Sequence, residues 1–171
     1  MTAEFTTDVA VVGAGPAGLS AALAAVGAGA RVTVLDEYPQ PGGQFYKQIA
    51  AEFGVPDRAR LDEEYTRGDA LLAAVQVAKV ELLNETLVWG SFEPGTLSIV
   101  RKGVAGTVRA RAIIVASGAY ERAISFPGWD LPGVMTPGGA QTLVKNQHVV
   151  PGSRIVLAGS GPFLLAVAKT L

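Results

Sequence analysis

The chain has 171 residues, a formal net charge of −1 and no cysteine; 49% of its residues are hydrophobic and 17% are charged. The length suits one ordinary domain, and the apolar character suits a sheet covered on both faces, with some surface left for a partner. The charge balance offers no basic face for nucleic acid or an anionic membrane, and the lack of cysteine excludes a disulfide relay, a cysteine-ligated iron–sulfur cluster and a thiolate zinc site within this chain. Residues 1–8 carry neither the basic segment nor the apolar run of a signal peptide, and no apolar run reaches membrane-spanning length. The cytoplasm is therefore the default expectation.

From Asp8 the chain reads Asp8-Val9-Ala10-Val11-Val12, an apolar run without alternation, as in a strand buried on both faces of a parallel sheet. Gly13-Ala14-Gly15-Pro16-Ala17-Gly18 follows at once. Gly13 allows a tight turn, Gly15 lets backbone approach a pyrophosphate, and Gly18 lets the next helix pack closely on the sheet. That helix, Leu19 to Ala28, is rich in alanine and leucine and closes at Gly27 and Gly29. Its first turn would aim free N–H groups and a positive dipole end at phosphate.

Arg31 to Leu35 makes a second strand that ends in Asp36 and Glu37. Asp36 stands about 20 residues past the glycine turn, where a carboxylate accepts hydrogen bonds from a ribose. Strand, glycine turn, helix, strand and acid together form the context that a lone G-x-G-x-x-G lacks; the plainer alternative is a glycine-rich turn in an ordinary βαβ unit. An acid here favours a free 2′-OH, hence FAD or NAD rather than NADP.

Tyr38-Pro39-Gln40-Pro41-Gly42-Gly43-Gln44 is punctuated by proline and glycine and cannot be regular. It leaves the strand end where ligands bind in such sheets, so it reads as a loop over a cofactor, with glycine N–H groups and Gln44 as donors, rather than a plain surface connection. Phe45 to Asp57, broken by Gly54 and Pro56, is ambiguous. Leu61 to Lys79 has helical spacing in Leu61, Tyr65, Leu71, Leu72, Val75 and Val77, with Gly68 weakening its middle. Val80 to Leu83 reads as a short strand. Thr86 to Phe92, Thr96 to Arg101 and Thr107 to Ala110, joined at Pro94-Gly95 and Gly103–Gly106, read as an antiparallel meander. Ala112 to Ala116 is again a continuously apolar strand, ending in Ser117-Gly118-Ala119, where a ligand could lie against backbone.

Residues 120–150 change character, with Phe126-Pro127-Gly128, Leu131-Pro132-Gly133 and Thr136-Pro137-Gly138-Gly139, and only Ala140 to Gln147 looks helical. This reads as a crossover between domains. His148, the single histidine, reads as a surface residue rather than a catalyst. Arg154 to Ala158 and Gly159-Ser160-Gly161-Pro162 then repeat the opening strand and turn, with Leu164 in place of the third glycine. The sequence ends at Leu171 inside the next helix, so the expectation is the N-terminal part of a longer protein. The expected division is residues 1–122 as a dinucleotide-binding domain, 123–150 as a crossover and 151–171 as the start of a second dinucleotide-binding domain.

This succession resembles the two-dinucleotide-binding-domain flavoproteins, which include the pyridine nucleotide-disulfide reductases and thioredoxin reductases. The run Ala116-Ser117-Gly118-Ala119-Tyr120-Glu121-Arg122, with Phe126-Pro127-Gly128-Trp129 and Leu131-Pro132-Gly133-Val134-Met135-Thr136, is similar to a narrower group. That group is the α subunits of hydrogen cyanide synthase, opine oxidases and related amino-acid dehydrogenases, together with part of the sarcosine oxidase α subunit.

The resemblance implies an α/β fold: a Rossmann-like FAD-binding domain with a parallel sheet and a three-stranded antiparallel meander, followed by the start of a second dinucleotide-binding domain. It implies an FAD-dependent oxidoreductase acting on an amino acid, opine or other amine, with a partner oxidoreductase subunit. Gly13, Gly15, Pro16, Ala17 and Gly18 would surround the FAD pyrophosphate. Asp36 would hold the adenosine ribose, with Glu37 close by. Gly43 and Gln44 would face the ribityl-flavin side, and Val88 would line the adenine. Ala116, Ser117 and Gly118 match the family's second FAD motif, with serine in place of its usual threonine. Gly159 and Gly161 would belong to an NAD(P)-type site. The redox cysteine pair of the disulfide reductases is missing here, as are the family's C-terminal FAD segment and any iron–sulfur segment. Two other readings stay open: an NAD(P)H-dependent flavin reductase without redox cysteines, and a non-catalytic nucleotide-binding or assembly piece.

Overall fold

A computed structural model of the chain describes residues 3–50 and 63–171. The ambiguous segment after Ala50 and the start of the helix expected from Leu61 lie outside the described residues. Residues 3–47 and 63–118 form one compact unit, and residues 48–50 and 119–171 form a second.

In the first unit a six-stranded sheet has the order β3-β2-β1-β6-β5-β4. The strands are β1 (Ala3–Val12), β2 (Val32–Leu35), β3 (Glu81–Leu83), β4 (Thr86–Glu93), β5 (Thr96–Arg101) and β6 (Val104–Val115). β1 pairs in parallel with β2 and with β6, and β2 with β3. β4, β5 and β6 form an antiparallel meander. The sheet is thus the mixed Rossmann-like arrangement expected.

Two strands run longer than expected. β1 begins at Ala3, because Phe5 and Thr7 alternate with Glu4 and Thr6 and the added segment pairs with Gly106 to Ala110. The third meander strand and the following apolar strand are one element, β6. Val104 to Arg109 pair antiparallel with β5 and Gly106 to Val115 pair in parallel with β1, so no turn separates Ala110 from Ala112.

Helix α1 (Pro16–Gly27) and helix α2 (Glu63–Val77) cover one face of the sheet. Leu19 and Ala22 of α1 and Val75 of α2 are buried against Val11, Val32 and Val34. The opposite side of the strands packs a second cluster, Ala10, Leu35, Leu83, Leu97, Ile99 and Val108. Every residue of β2 is buried, which explains its unbroken apolar run. Thr33, its one polar residue, donates its hydroxyl to the Glu81 carboxylate at 2.7 Å.

The second unit contains α3 (Pro137–Gln147) and α4 (Phe163–Thr170), with Ala140 and Val167 buried. The Asn146 side chain donates to the Gln48 carbonyl at 2.9 Å, and the Ala50 N–H donates to the Asn146 carbonyl at 3.0 Å. His148 is exposed and ends α3 in the left-handed conformation, φ 54°. The strand expected at Arg154 to Ala158 does not form. Among the described residues no neighbouring strand pairs with it, and Val156 is 92% exposed. Extended backbone without a ladder partner has nowhere to place its N–H and C=O groups except in water.

Candidate functional site

The site residues of the first unit gather where β1 and β2 end. The Gly13 N–H donates to the Leu35 carbonyl at 2.8 Å, the last bond of the β1–β2 ladder before the chain leaves β1. Gly13 has φ +105°, and a Cβ there would lie 2.3 Å from the Ala116 carbonyl oxygen. The end of β6 therefore presses directly on the turn. A Cβ on Gly18 would lie 1.9 Å from the Gly13 carbonyl oxygen, so only glycine lets α1 seat on this turn.

Gly15 differs from both. A Cβ there would meet only the Gly43 Cα, at 3.9 Å, an ordinary contact, so crowding does not demand glycine at this position. Gly15 is the N-cap of α1, no side chain caps that end, Pro16 occupies the first turn and no acidic residue lies in it. An uncapped helix start with its dipole uncompensated is a place for an external anion. By contrast, α3 meets this need internally: the Thr136 hydroxyl accepts from the Gly139 N–H at 3.2 Å, and the Glu121 carboxylate accepts from the Gly138 N–H at 2.8 Å.

Asp36 is half-buried at the rim of the turn. One of its carboxylate oxygens accepts the Ala14 backbone N–H and the other accepts the Tyr38 N–H at 2.9 Å. Its own backbone is fixed by bonds to Leu83 and Thr86. Each oxygen keeps lone pairs for further donors. Glu37 and Ala17 are exposed. The loop after Glu37 folds back over the turn. Gly42 donates its N–H to the Ala14 carbonyl at 2.8 Å, and a Cβ on Gly43 would lie 2.8 Å from the Gly15 Cα. The Gln44 side chain is exposed, and its oxygen accepts from Lys47 Nζ at 3.0 Å.

Ala116 donates its N–H to the Val12 carbonyl at 2.8 Å, while Ser117 and Gly118 are exposed just beyond β6. Val88 is half-buried on β4 and packs on the cluster that holds Leu35 and Leu83. Gly159 and Gly161 lie in the second unit, with φ +141° and +111°, and Leu164 takes up the space over Gly159. Two contributors were not singled out as site residues from sequence: Ala14, which works through its backbone, and Gly42, at φ +121°. The paired glycines after Pro41 were the available signal for Gly42. No cluster of potential metal ligands occurs among the described residues.

The glycine turn, the start of α1 without a side-chain cap and the Asp36 carboxylate thus lie together at the ends of β1 and β2. The pattern of the pyridine nucleotide-disulphide oxidoreductase family matches residues 7–171. The chain belongs to that family of flavin-dependent oxidoreductases. It is 40% identical over 174 residues to an opine oxidase subunit from Agrobacterium tumefaciens (strain Ach5), a match covering 96% of this chain and 34% of that protein. It is 33% identical over 169 residues to the HcnB subunit of hydrogen cyanide synthase from Pseudomonas protegens, covering 94% of this chain and 35% of that protein. It is 34% identical over 167 residues to the alpha subunit of sarcosine oxidase from Corynebacterium sp. (strain U-96), covering 89% and 17%. In fold it is similar to L-proline dehydrogenase from P. horikoshii, with a TM-score of 0.74, 24% identity, and coverage of 89% of this chain and 31% of that one. The chain thus spans about a third or less of the length of these relatives.

Proposed function

We propose that this chain builds the FAD site of an oxidoreductase subunit that oxidises an amino acid, opine or other amine. The observation that carries the reading is the placing of the Asp36 carboxylate on the glycine turn, next to the start of α1 that no side chain caps. The N–H groups at the start of α1 bind the diphosphate, and Asp36 orients the adenosine ribose through its hydroxyls. Val88 lines the adenine; Gly43, Gln44 and the Ala116–Gly118 segment border the ribityl-flavin side. Bound flavin supplies the hydride-accepting chemistry. What these residues add is orientation and shielding from water. Gly159 and Gly161 belong to a second, NAD(P)-type site.

The amine substrate is supported by the names of the relatives, which are an opine oxidase, a sarcosine oxidase and, by fold alone, a proline dehydrogenase. A partner subunit is supported by the relatives' being named as subunits. The chain contains no cysteine, so a redox disulfide has no residue here. The cytoplasm remains the expected location; no helix among the described residues is long and apolar enough to cross a membrane.

The test is the visible absorbance of the purified chain after incubation with FAD and gel filtration, for wild type and Asp36→Ala. Flavin bands that travel with the wild type and fade in the variant support the reading. Equal retention by both would remove Asp36 from the site. Anaerobic bleaching of those bands by an amino acid, N-methylglycine or an opine tests the substrate class, and bleaching by none of them would contradict it.

A further inference from the structure

The chain passes from the first unit to the second at Lys47–Gln48 and again at Gly118–Ala119. Each passage follows directly on a segment that borders the ribityl-flavin side in the reading above. Gly43, seated on Gly15, stands five residues before Gln48, and Gly118 stands three before Glu121. At full extension such tethers span at most about 18 Å and about 11 Å. Fixing their far ends therefore limits where the two segments can lie.

Both far ends are fixed to one helix. At the start of α3 the Glu121 carboxylate accepts the Gly138 N–H at 2.8 Å. A Cβ on Gly138 would lie 2.6 Å from that same carboxylate oxygen, so glycine leaves room for its approach. Near the other end Asn146 grips the second connector twice. Its side chain donates to the Gln48 carbonyl at 2.9 Å, and its own carbonyl accepts the Ala50 N–H at 3.0 Å. The helix has further stops of its own: Thr136 accepts the Gly139 N–H, and the His148 and Val149 N–H groups close the last turn on Val144 and Leu143. What the Glu121 and Asn146 bonds add is a hold on the connectors.

We infer that α3 is a brace for the flavin half of the site, with Glu121 and Asn146 as positioning residues that hold the Ala116–Gly118 and Gly43–Gln44 segments through the two connectors. This rests on the FAD reading above. Neither residue touches the cofactor. The adenosine diphosphate half, on the glycine turn, α1 and Asp36, does not depend on the brace.

The test compares FAD with ADP, by fluorescence and calorimetric titration of the full chain, with thermal melts to check folding. Three variants release a connector. Glu121→Ala removes the carboxylate, Gly138→Ala pushes it away unaltered, and Asn146→Asp sets a carboxylate oxygen against the Gln48 carbonyl. The inference predicts that each weakens FAD binding about fivefold and leaves ADP binding unchanged. Glu121→Gln, which keeps an acceptor, recovers much of the loss. Thr136→Ala weakens the α3 cap without touching a connector, so it lowers the melting temperature and keeps full FAD affinity. Full FAD affinity in the three release variants overturns the inference and leaves the FAD reading intact. Equal weakening of FAD and ADP, or a matching FAD loss in Thr136→Ala, marks a general structural effect and also overturns it. A wild type that binds no FAD overturns both.

Discussion

The carboxylate of Asp36 holds the Ala14 N–H with one oxygen and the Tyr38 N–H with the other, so a single side chain ties the glycine turn to the loop that covers it. Replacing it with alanine leaves two backbone donors without their partners. Asp36→Ala is expected to lose about 1–2 kcal/mol of stability, and Asp36→Asn, which can still accept one of the bonds, about half of that. Urea unfolding of the three proteins measures the difference. The cofactor affinity of Asp36→Ala should fall further than its stability, because the ribose contact goes as well.

The glycines of the turn separate by what a methyl group would meet. Gly18→Ala drives a Cβ into the Gly13 carbonyl at 1.9 Å, a contact that backbone cannot yield cheaply. It should cost at least about 2 kcal/mol. Gly27→Ala, at the other end of α1 with nothing within 4 Å, should be neutral or stabilising by up to about 1 kcal/mol. Thermal unfolding of the pair checks both signs.

Gly43 combines φ +62° with a Cβ position 2.8 Å from the Gly15 Cα. Gly43→Ala is expected to lift the loop off the turn. Its stability cost should be about 1–2 kcal/mol, while FAD affinity drops roughly tenfold or more as the loop moves away from Gly15. Fluorescence titration with FAD, set beside the unfolding curve, separates the two effects.

Core packing should be indifferent to the cofactor. Leu19→Ala empties a fully buried position between α1 and the sheet and should cost about 2–5 kcal/mol. Val77→Ala, at a position 83% exposed, should change stability by less than about 0.5 kcal/mol. Chemical denaturation of both variants without cofactor gives the comparison.

Much of this arrangement was legible from residue order. The apolar runs at Val9 and Val32, the glycines at 13, 15 and 18 and the acid at 36 mark strand, turn, helix and strand through local rules alone, and the sheet has that order. What escaped was set by pairing. β6 reads as two strands because Arg111 interrupts its apolar pattern, yet it has β1 beside it from Gly106 to Val115 and β5 along its first part, and two ladders override the composition. Residues 154–158 fail in the opposite direction: Ile155, Val156 and Leu157 have strand composition, but no ladder partner lies among the described residues.

The site divides in the same way. Gly13 and Gly18 announce themselves because only glycine tolerates their contacts. Ala14 contributes through its N–H and carbonyl, which any residue possesses, so its side chain carries no signal. Gly42 lies well beyond the glycine turn in sequence and joins it only because the loop after Glu37 folds back, so that Gly42 and Gly43 dock on Ala14 and Gly15.

The central claim is that the glycine turn, the start of α1 and Asp36 together hold the adenosine diphosphate half of FAD. Backbone amide spectra of the isotopically labelled chain, recorded as FAD is added, test it most directly. The account predicts saturable shifts concentrated at Gly13, Ala14, Gly15, Ala17, Gly18 and Asp36, with the exposed residues of the meander unmoved. Shifts centred elsewhere, or a spectrum unchanged at high FAD, would contradict it.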